Sequence, residues 1–243
     1  MLQTLKKQAE AAEPLHRFAS PVDLAKQLAG DVRLALALAL CNHENASLAV
    51  SGGSTPKAFF KALAQEKMDW ARVSIHLVDE RCVPADSDQL NAHLVEDNLM
   101  KGHAAAAHFI PLYDHTSLNA EDAARRGADH LPTRGFDVIV LGMGADGHTA
   151  SLFPGGDRLA EGLDTNSKLR LISMRSAGAG VPRLTVTLAE ILRADRVILH
   201  IEGDDKMAVL EQALAGEDVA QMPIRAVLNQ SELPLDIYWA PKP

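Results

Sequence analysis

A chain of 243 residues is long enough for one large domain or two small ones around a sizeable core. Apolar residues at 47% and charged residues at 23% exclude a disordered or collagen-like chain, and aromatics at only 4% leave the core to Leu, Val, Ile and Ala. A net charge of −8 argues against non-specific nucleic-acid binding, so an anionic substrate would have to be held by local Arg, Lys and backbone N–H groups.

In chain order, the N-terminal segment through Phe18 has no apolar h-region and does not read as a signal peptide. Ser20 reads as an N-cap with Pro21 at the first helical position. Leu28, Val32, Ala35, Leu36, Ala39 and Leu40 then recur at helical spacing as far as a stop at residues 42–45. The apolar run within residues 34–41 is too short to cross a bilayer. A strand over residues 46–50 empties into Ser51-Gly52-Gly53-Ser54-Thr55-Pro56, where Thr55 is a candidate cap and Phe59, Phe60 and Leu63 mark the buried face of the next helix. Residues 73–78 form the next strand, ending at Asp79-Glu80-Arg81, and a helix is expected from about residue 86 to 100. A short strand at residues 108–110 and a capped helix over 119–130 lead to the strand Val138–Leu141 and its loop Gly142-Met143-Gly144-Ala145-Asp146-Gly147-His148. Residues 156–168 read as an insertion-like loop. Strands are then expected at 169–173, 197–201 and 237–239, with a short helix after Leu188 and another helix over 204–215. The two cysteines, Cys41 and Cys82, have no C-x-x-C spacing and fit a reduced, cytoplasmic protein.

Alternation of strands and helices predicts a single α/β domain over 1–243, a Rossmann-like three-layer sandwich with a mostly parallel central sheet. In such sheets ligands bind outside the carboxyl ends of the strands. Four polar clusters follow strands directly: Ser51 to Thr55, Asp79 to Arg81, Gly142 to His148, and Gly203 to Lys206. Parallel strands would bring all four to one edge.

Each cluster has a plain reading beside a functional one. The Ser51, Gly52, Gly53, Ser54 and Thr55 loop is either a phosphate cradle or an ordinary strand-to-helix turn. Asp79, Glu80 and Arg81 are either binding groups on opposite faces of the chain or a solvated, self-neutralising loop. Gly142, Gly144 and Gly147 match the dinucleotide fingerprint G-x-G-x-x-G, but Pro154, Gly155 and Gly156 stop the helix that fingerprint needs. The loop reads better as an acid–base site, with Asp146 and His148 as its titratable pair. No H-E-x-x-H or Cys/His cluster predicts a metal site, and no G-x-S-x-G elbow predicts a Ser–His–Asp hydrolase. Lys206, Arg183 and Arg175 are candidate anion clamps, each with a solvated surface charge as its plain reading.

The chain resembles the 6-phosphogluconolactonase family. The resemblance is carried by Ser51 to Pro56, by Asp79-Glu80-Arg81-Cys82-Val83-Pro84 and by Gly142 through Pro154. Weaker matches are Pro182 to Thr187, Gly203 to Lys206 and Tyr238 to Pro241. It implies hydrolysis of 6-phospho-D-glucono-1,5-lactone without cofactor or metal, by a monomer or small homo-oligomer with no nucleic-acid or membrane partner. On that footing His148 is the expected general base and Asp146 its orienting carboxylate or a ligand of sugar hydroxyls. Amides of residues 142–147, or Arg81, would serve the oxyanion. The Ser51 loop, Lys206 and Arg183 would hold the phosphate. Asn91 matches a family position with no role attached. Glucosamine-6-phosphate deaminase is the neighbouring alternative, but where its motif carries a catalytic glutamate this chain has Phe153. A non-catalytic sugar-phosphate sensor is the third possibility.

Overall fold

The computed structural model describes residues 15–242; residues 1–14, most of the segment read as lacking a leader, lie outside them. In order the elements are β1 (Leu15–Arg17), α1 (Pro21–Asn42), β2 (Ala46–Val50), α2 (Lys57–Leu63), β3 (Val73–Leu77), β4 (Asp79–Arg81), α3 (Asn91–Asn98), β5 (His108–Phe109), α4 (Ala120–Ala128) and β6 (Val138–Leu141). There follow α5 (Leu159–Leu163), β7 (Leu171–Met174), β8 (Arg183–Val186), α6 (Leu188–Ile191), β9 (Val197–Glu202), α7 (Asp204–Leu214), α8 (Ile224–Leu228) and β10 (Leu235–Ala240).

Seven strands make one parallel sheet in the order β1-β10-β9-β6-β2-β3-β5. Every residue of β2, β6, β9 is buried, as expected where helices cover both faces of a parallel sheet. Helix α1 begins where the Ser20 hydroxyl accepts the Asp23 N–H at 3.2 Å, and it buries Leu24, Leu28, Val32 and Leu36. It packs on α2 and against β2, β6 and β10. The α/β class and the parallel central sheet are as expected.

The strand order fixes where a ligand can go. From β2 the chain moves outward to β3 and β5, then returns to β6 and moves outward the other way to β9 and β10. The switch point lies between β2 and β6, whose ends are level in register at Val50 and Val140. The loops after both strands therefore diverge over a crevice.

A second sheet, β4-β8-β7, is antiparallel and was not expected. Val78 is the joint between the two. Its N–H donates to Val50 O at 3.0 Å in the parallel sheet, and its carbonyl accepts from Val186 N–H at 2.9 Å in the small one. Asp79-Glu80-Arg81 is thus a strand, not a loop. The stretch 156–168 is also not a bare loop: α5 lies in it, and Leu159 joins Leu152, Phe153, Ile172, Met174 and Ala179 in a separate apolar cluster under the small sheet. The helix expected over 86–100 is confined to α3, because residues 84–90 are taken up by turns closed at Ser87 and Leu90. Strand β1 and helix α8 had no clear signal in the sequence.

His76 on β3 is 1% exposed, bonded to the Ser74 hydroxyl at 3.1 Å and edge-on to Phe136. Burial, reinforced by the charges of Arg170 and His130, drives its imidazole from 6.5 down to about 4. Between those values the unfolded chain binds a proton that the folded chain refuses, so stability is full above pH 6.5 and is lost as pH falls toward 4. From pH 7 to pH 5 this one group should remove about 2 kcal/mol. Urea titrations at the two pH values should show that loss in the wild type and a smaller one in His76→Gln.

Candidate active site

A cavity of about 390 Å³ opens over the switch point. Ser51, Gly52, Gly53, Ser54, Thr55, Asp79, Arg81, Gly142, Gly144, His148, Arg183 and Lys206 all line it, so residues from all four polar clusters meet there. Asp146 reaches it only through His148. Glu80 does not line it.

Ser51 ties the two diverging loops together. Its N–H donates to Val140 O at 3.0 Å, and its hydroxyl donates to the same carbonyl at 3.2 Å while accepting the Gly142 N–H at 3.0 Å. Gly52 is required by contact: a Cβ there would lie 1.9 Å from Asn91 Oδ1. Gly53 has φ +91°, a left-handed conformation that glycine adopts without strain. Thr55 does not cap the next helix. Pro56 holds that position with no side-chain bond to the helix, and α2 is only seven residues long. The expected cradle at a helix N-terminus is therefore weakly built.

Asp79 and Glu80 point opposite ways and do different jobs. The Glu80 carboxylate, 1% exposed, accepts the N–H groups of Arg81, Asn91 and Ala92 at 2.7–2.8 Å, and so caps α3 from a neighbouring strand. Burial pushes its pKa up against the pull of those three amides. It is a structural carboxylate rather than the binding group expected. Asp79 faces the cavity and accepts the Ser151 hydroxyl at 2.6 Å. Asn91, whose role was open, holds this corner: its amide nitrogen donates to Asp79 O at 3.0 Å and its oxygen accepts from the Arg81 guanidinium at 2.9 Å.

In the loop after β6, the Asp146 carboxylate lies 2.5 Å from His148 Nδ1 and also accepts the His148 N–H at 3.1 Å. Partial burial works to raise the pKa of Asp146, but the N–H, the charge and the ring hydrogen bond of His148 together hold it below the usual carboxylate range. An ionised Asp146 therefore accepts a hydrogen bond from Nδ1–H of His148, which leaves Nε2 as the ring nitrogen without a partner among the described residues. A Cβ on Gly144 would lie 2.1 Å from His148 Nδ1, so only glycine lets the pair close. Three amides proposed for an oxyanion are already used: Gly142 N–H by Ser51, Gly144 N–H by His148 O, and Gly147 N–H by Gly144 O. Past the pair, Ala150 has φ +48°, held by Thr149 on Gly142 O at 2.9 Å and by Ser151 on Asp79.

Arg81 and Arg183 face one another across the β4–β8 pair. Arg81 donates to Gln89 O and Asn91; Arg183 donates to Ala179 O at 2.9 Å. The Nε–H of each is buried with no partner among the described residues. Burial, and then the charge of Arg81, lowers the pKa of Arg183. Two guanidiniums on paired positions with donors to spare have the chemistry to hold an anion. Arg175 is not one of them, because it pairs with Glu121 at 3.0 Å. Lys206 enters the cavity from the first turn of α7.

His200 and Glu202, bonded at 3.2 Å, also line the cavity and had no sequence signal. They are there because β9 runs three residues beyond β6, whose last residue, Leu141, pairs with Leu199. The Phe153 ring lies against His148, centroids 4.6 Å apart, at the place where the alternative enzyme would need a carboxylate. Among the described residues, no helix is long and apolar enough to cross a membrane.

Residues 19–239 match the family model described as glucosamine-6-phosphate isomerases/6-phosphogluconolactonase. The chain is 51% identical over 229 residues to a 6-phosphogluconolactonase of Rhizobium meliloti (strain 1021), covering 93% of this chain and 98% of the relative. The crystal structure of a 6-phosphogluconolactonase from Shewanella baltica OS155 superposes with a TM-score of 0.90 at 39% identity, covering 95% of this chain and 99% of the other. A monomeric glucosamine-6-phosphate deaminase shares the fold at 16% identity and a TM-score of 0.76, over 93% of this chain and 97% of its own.

The placement of Glu80 gives a test of its structural role. Glu80→Ala strands buried amides at the start of α3 and should lower the unfolding free energy by about 2–4 kcal/mol, read from urea denaturation.

Proposed function

The chain belongs to the glucosamine-6-phosphate isomerase/6-phosphogluconolactonase family, and on that premise we propose that it hydrolyses 6-phospho-D-glucono-1,5-lactone to 6-phospho-D-gluconate, with His148 as general base. The carrying observation is the Asp146–His148 pair at 2.5 Å in a cavity that also holds the Arg81–Arg183 anion site. Nε2 of His148 takes a proton from water as its oxygen bonds to the lactone carbonyl carbon. The tetrahedral adduct then expels the ring oxygen, which takes the proton back from His148, and the new carboxylic acid ionises. The reaction as written uses no cofactor.

The phosphate dianion is assigned to Arg81 and Arg183, whose two charges and spare Nε–H donors match it better than the two-turn helix α2 does. Lys206 and the Ser51 to Thr55 loop line the remaining wall, and Asp79 is the carboxylate open to sugar hydroxyls. Phe153 supports the lactonase over the deaminase, because no carboxylate stands at that point. The free thiols of Cys41 and Cys82 support a reducing, cytoplasmic setting.

His148→Ala should lower kcat by about 10²–10⁴ with the substrate still bound, the usual range for loss of a general base. Acid release from the phosphorylated lactone, with spontaneous hydrolysis subtracted, measures it; ammonia release from glucosamine 6-phosphate should be absent. Near-wild-type kcat in the variant would overturn the assignment. Lys206→Ala should act mainly on KM for the phosphorylated lactone, and Arg183→Met should raise that KM. Unchanged KM in Arg183→Met would remove Arg183 from the clamp.

A further inference from the structure

We propose that Phe153 is a positioning residue that couples the anion site to the general base, so that a bound phosphate dianion orients His148 as well as anchoring the substrate. The inference rests on the reading of His148 as base and Arg81–Arg183 as phosphate clamp.

Phe153 neighbours both. Its ring meets the His148 imidazole, with centroids 4.6 Å apart and planes tilted by 52°. The Arg183 guanidinium carbon lies 5.8 Å from the same ring's centroid. The imidazole is also bonded through Nδ1 to Asp146 and lies close over Gly144. A packed aromatic neighbour further restricts the ring. Phe153 therefore helps set the direction in which Nε2 points.

Phe153 is also next to a pair of charges. Arg81 and Arg183 are like charges brought together by strand register, and each keeps a buried Nε–H without a partner. A dianion between them removes the repulsion and draws both guanidiniums onto its oxygens. Arg183 is linked to the cluster that holds Phe153. Its guanidinium is tied to Ala179 O, and Ala179 packs with Phe153, Leu152, Leu159, Ile172 and Met174 in the apolar cluster separate from the main core. Anion binding thus bears on a small packed unit that includes the buried ring against His148. Remote binding energy used this way raises kcat rather than merely lowering KM.

The signature is activation in pieces. Wild-type enzyme is given D-glucono-1,5-lactone, which has no phosphate, with and without inorganic phosphite dianion, and enzyme-free rates in the same buffer are subtracted. Phosphite should accelerate the enzymatic rate by about tenfold or more, and Arg183→Met should abolish the effect. Phe153→Leu, which keeps an apolar side chain in the cluster, should retain KM for the phosphorylated lactone while losing about tenfold or more in kcat and most of the phosphite activation. Absence of phosphite activation in a wild type that turns over the phosphorylated lactone overturns the coupling and leaves the lactonase reading intact. Wild-type kcat in Phe153→Leu also overturns it. A wild type inert toward the phosphorylated lactone would instead bring down the functional reading and the coupling with it.

Discussion

Connections run outward in both directions from the seam between β2 and β6, so the two loops leaving those strands must part, and the Ser51 side chain spans the gap. A hydroxyl is well suited to this place. It donates to Val140 O of β6 and accepts the Gly142 N–H just beyond the strand, so that two polar groups at this strand end are paired. The loop that carries Asp146 and His148 begins at that amide. The direction in which Gly142 leaves the sheet, and with it the position of Asp146 and His148, is set by a bond made to a residue far away in the sequence.

The carboxylates around the cavity show how environment divides one chemistry into several roles. Glu80 is enclosed, and its charge is matched by three backbone amides, so it holds α3 and Asn91 in place. Asp146 is half in solvent beside an imidazole that it orients, and it stays ionised. Asp79, next to Glu80 in sequence, turns to the opposite face and ties the Ser151 segment to the small sheet while remaining open to the cavity. Neighbouring residues on a strand separate structural from binding roles simply by alternating.

The parallel sheet and the convergence of the polar clusters were legible because they rest on local signals: short β-branched runs, glycines at their ends, and a cap such as Ser20. The small sheet was not. β4 has three residues, and its partner Thr185 is remote from Asp79, so nothing near Asp79 distinguishes a strand from a charged loop. The same gap misplaced Glu80, whose partners are amides at the start of α3. His200 and Glu202 escaped because their entry into the cavity depends on β9 overrunning β6, a matter of register between strands. Thr55 looked like a cap, but Pro56 took the position.

The anion site carries the larger energetic question. Two half-buried guanidiniums on paired strand positions, each with a buried Nε–H that has no partner among the described residues, are unfavourable without a counter-ion, since like charges repel and desolvated donors lose water without gaining a partner. The framework imposes this arrangement: strand register sets Arg81 opposite Arg183, Asn91 and Gln89 fix the first, and Ala179 fixes the second. A dianion supplies both missing partners at once, whereas a neutral sugar supplies neither charge. Under the proposed reading, discrimination for a phosphorylated substrate would come from relieving a defect built into the free protein, one aromatic ring away from the proposed base. A clamp fully satisfied without substrate would have less to gain on binding and less to pass on to His148.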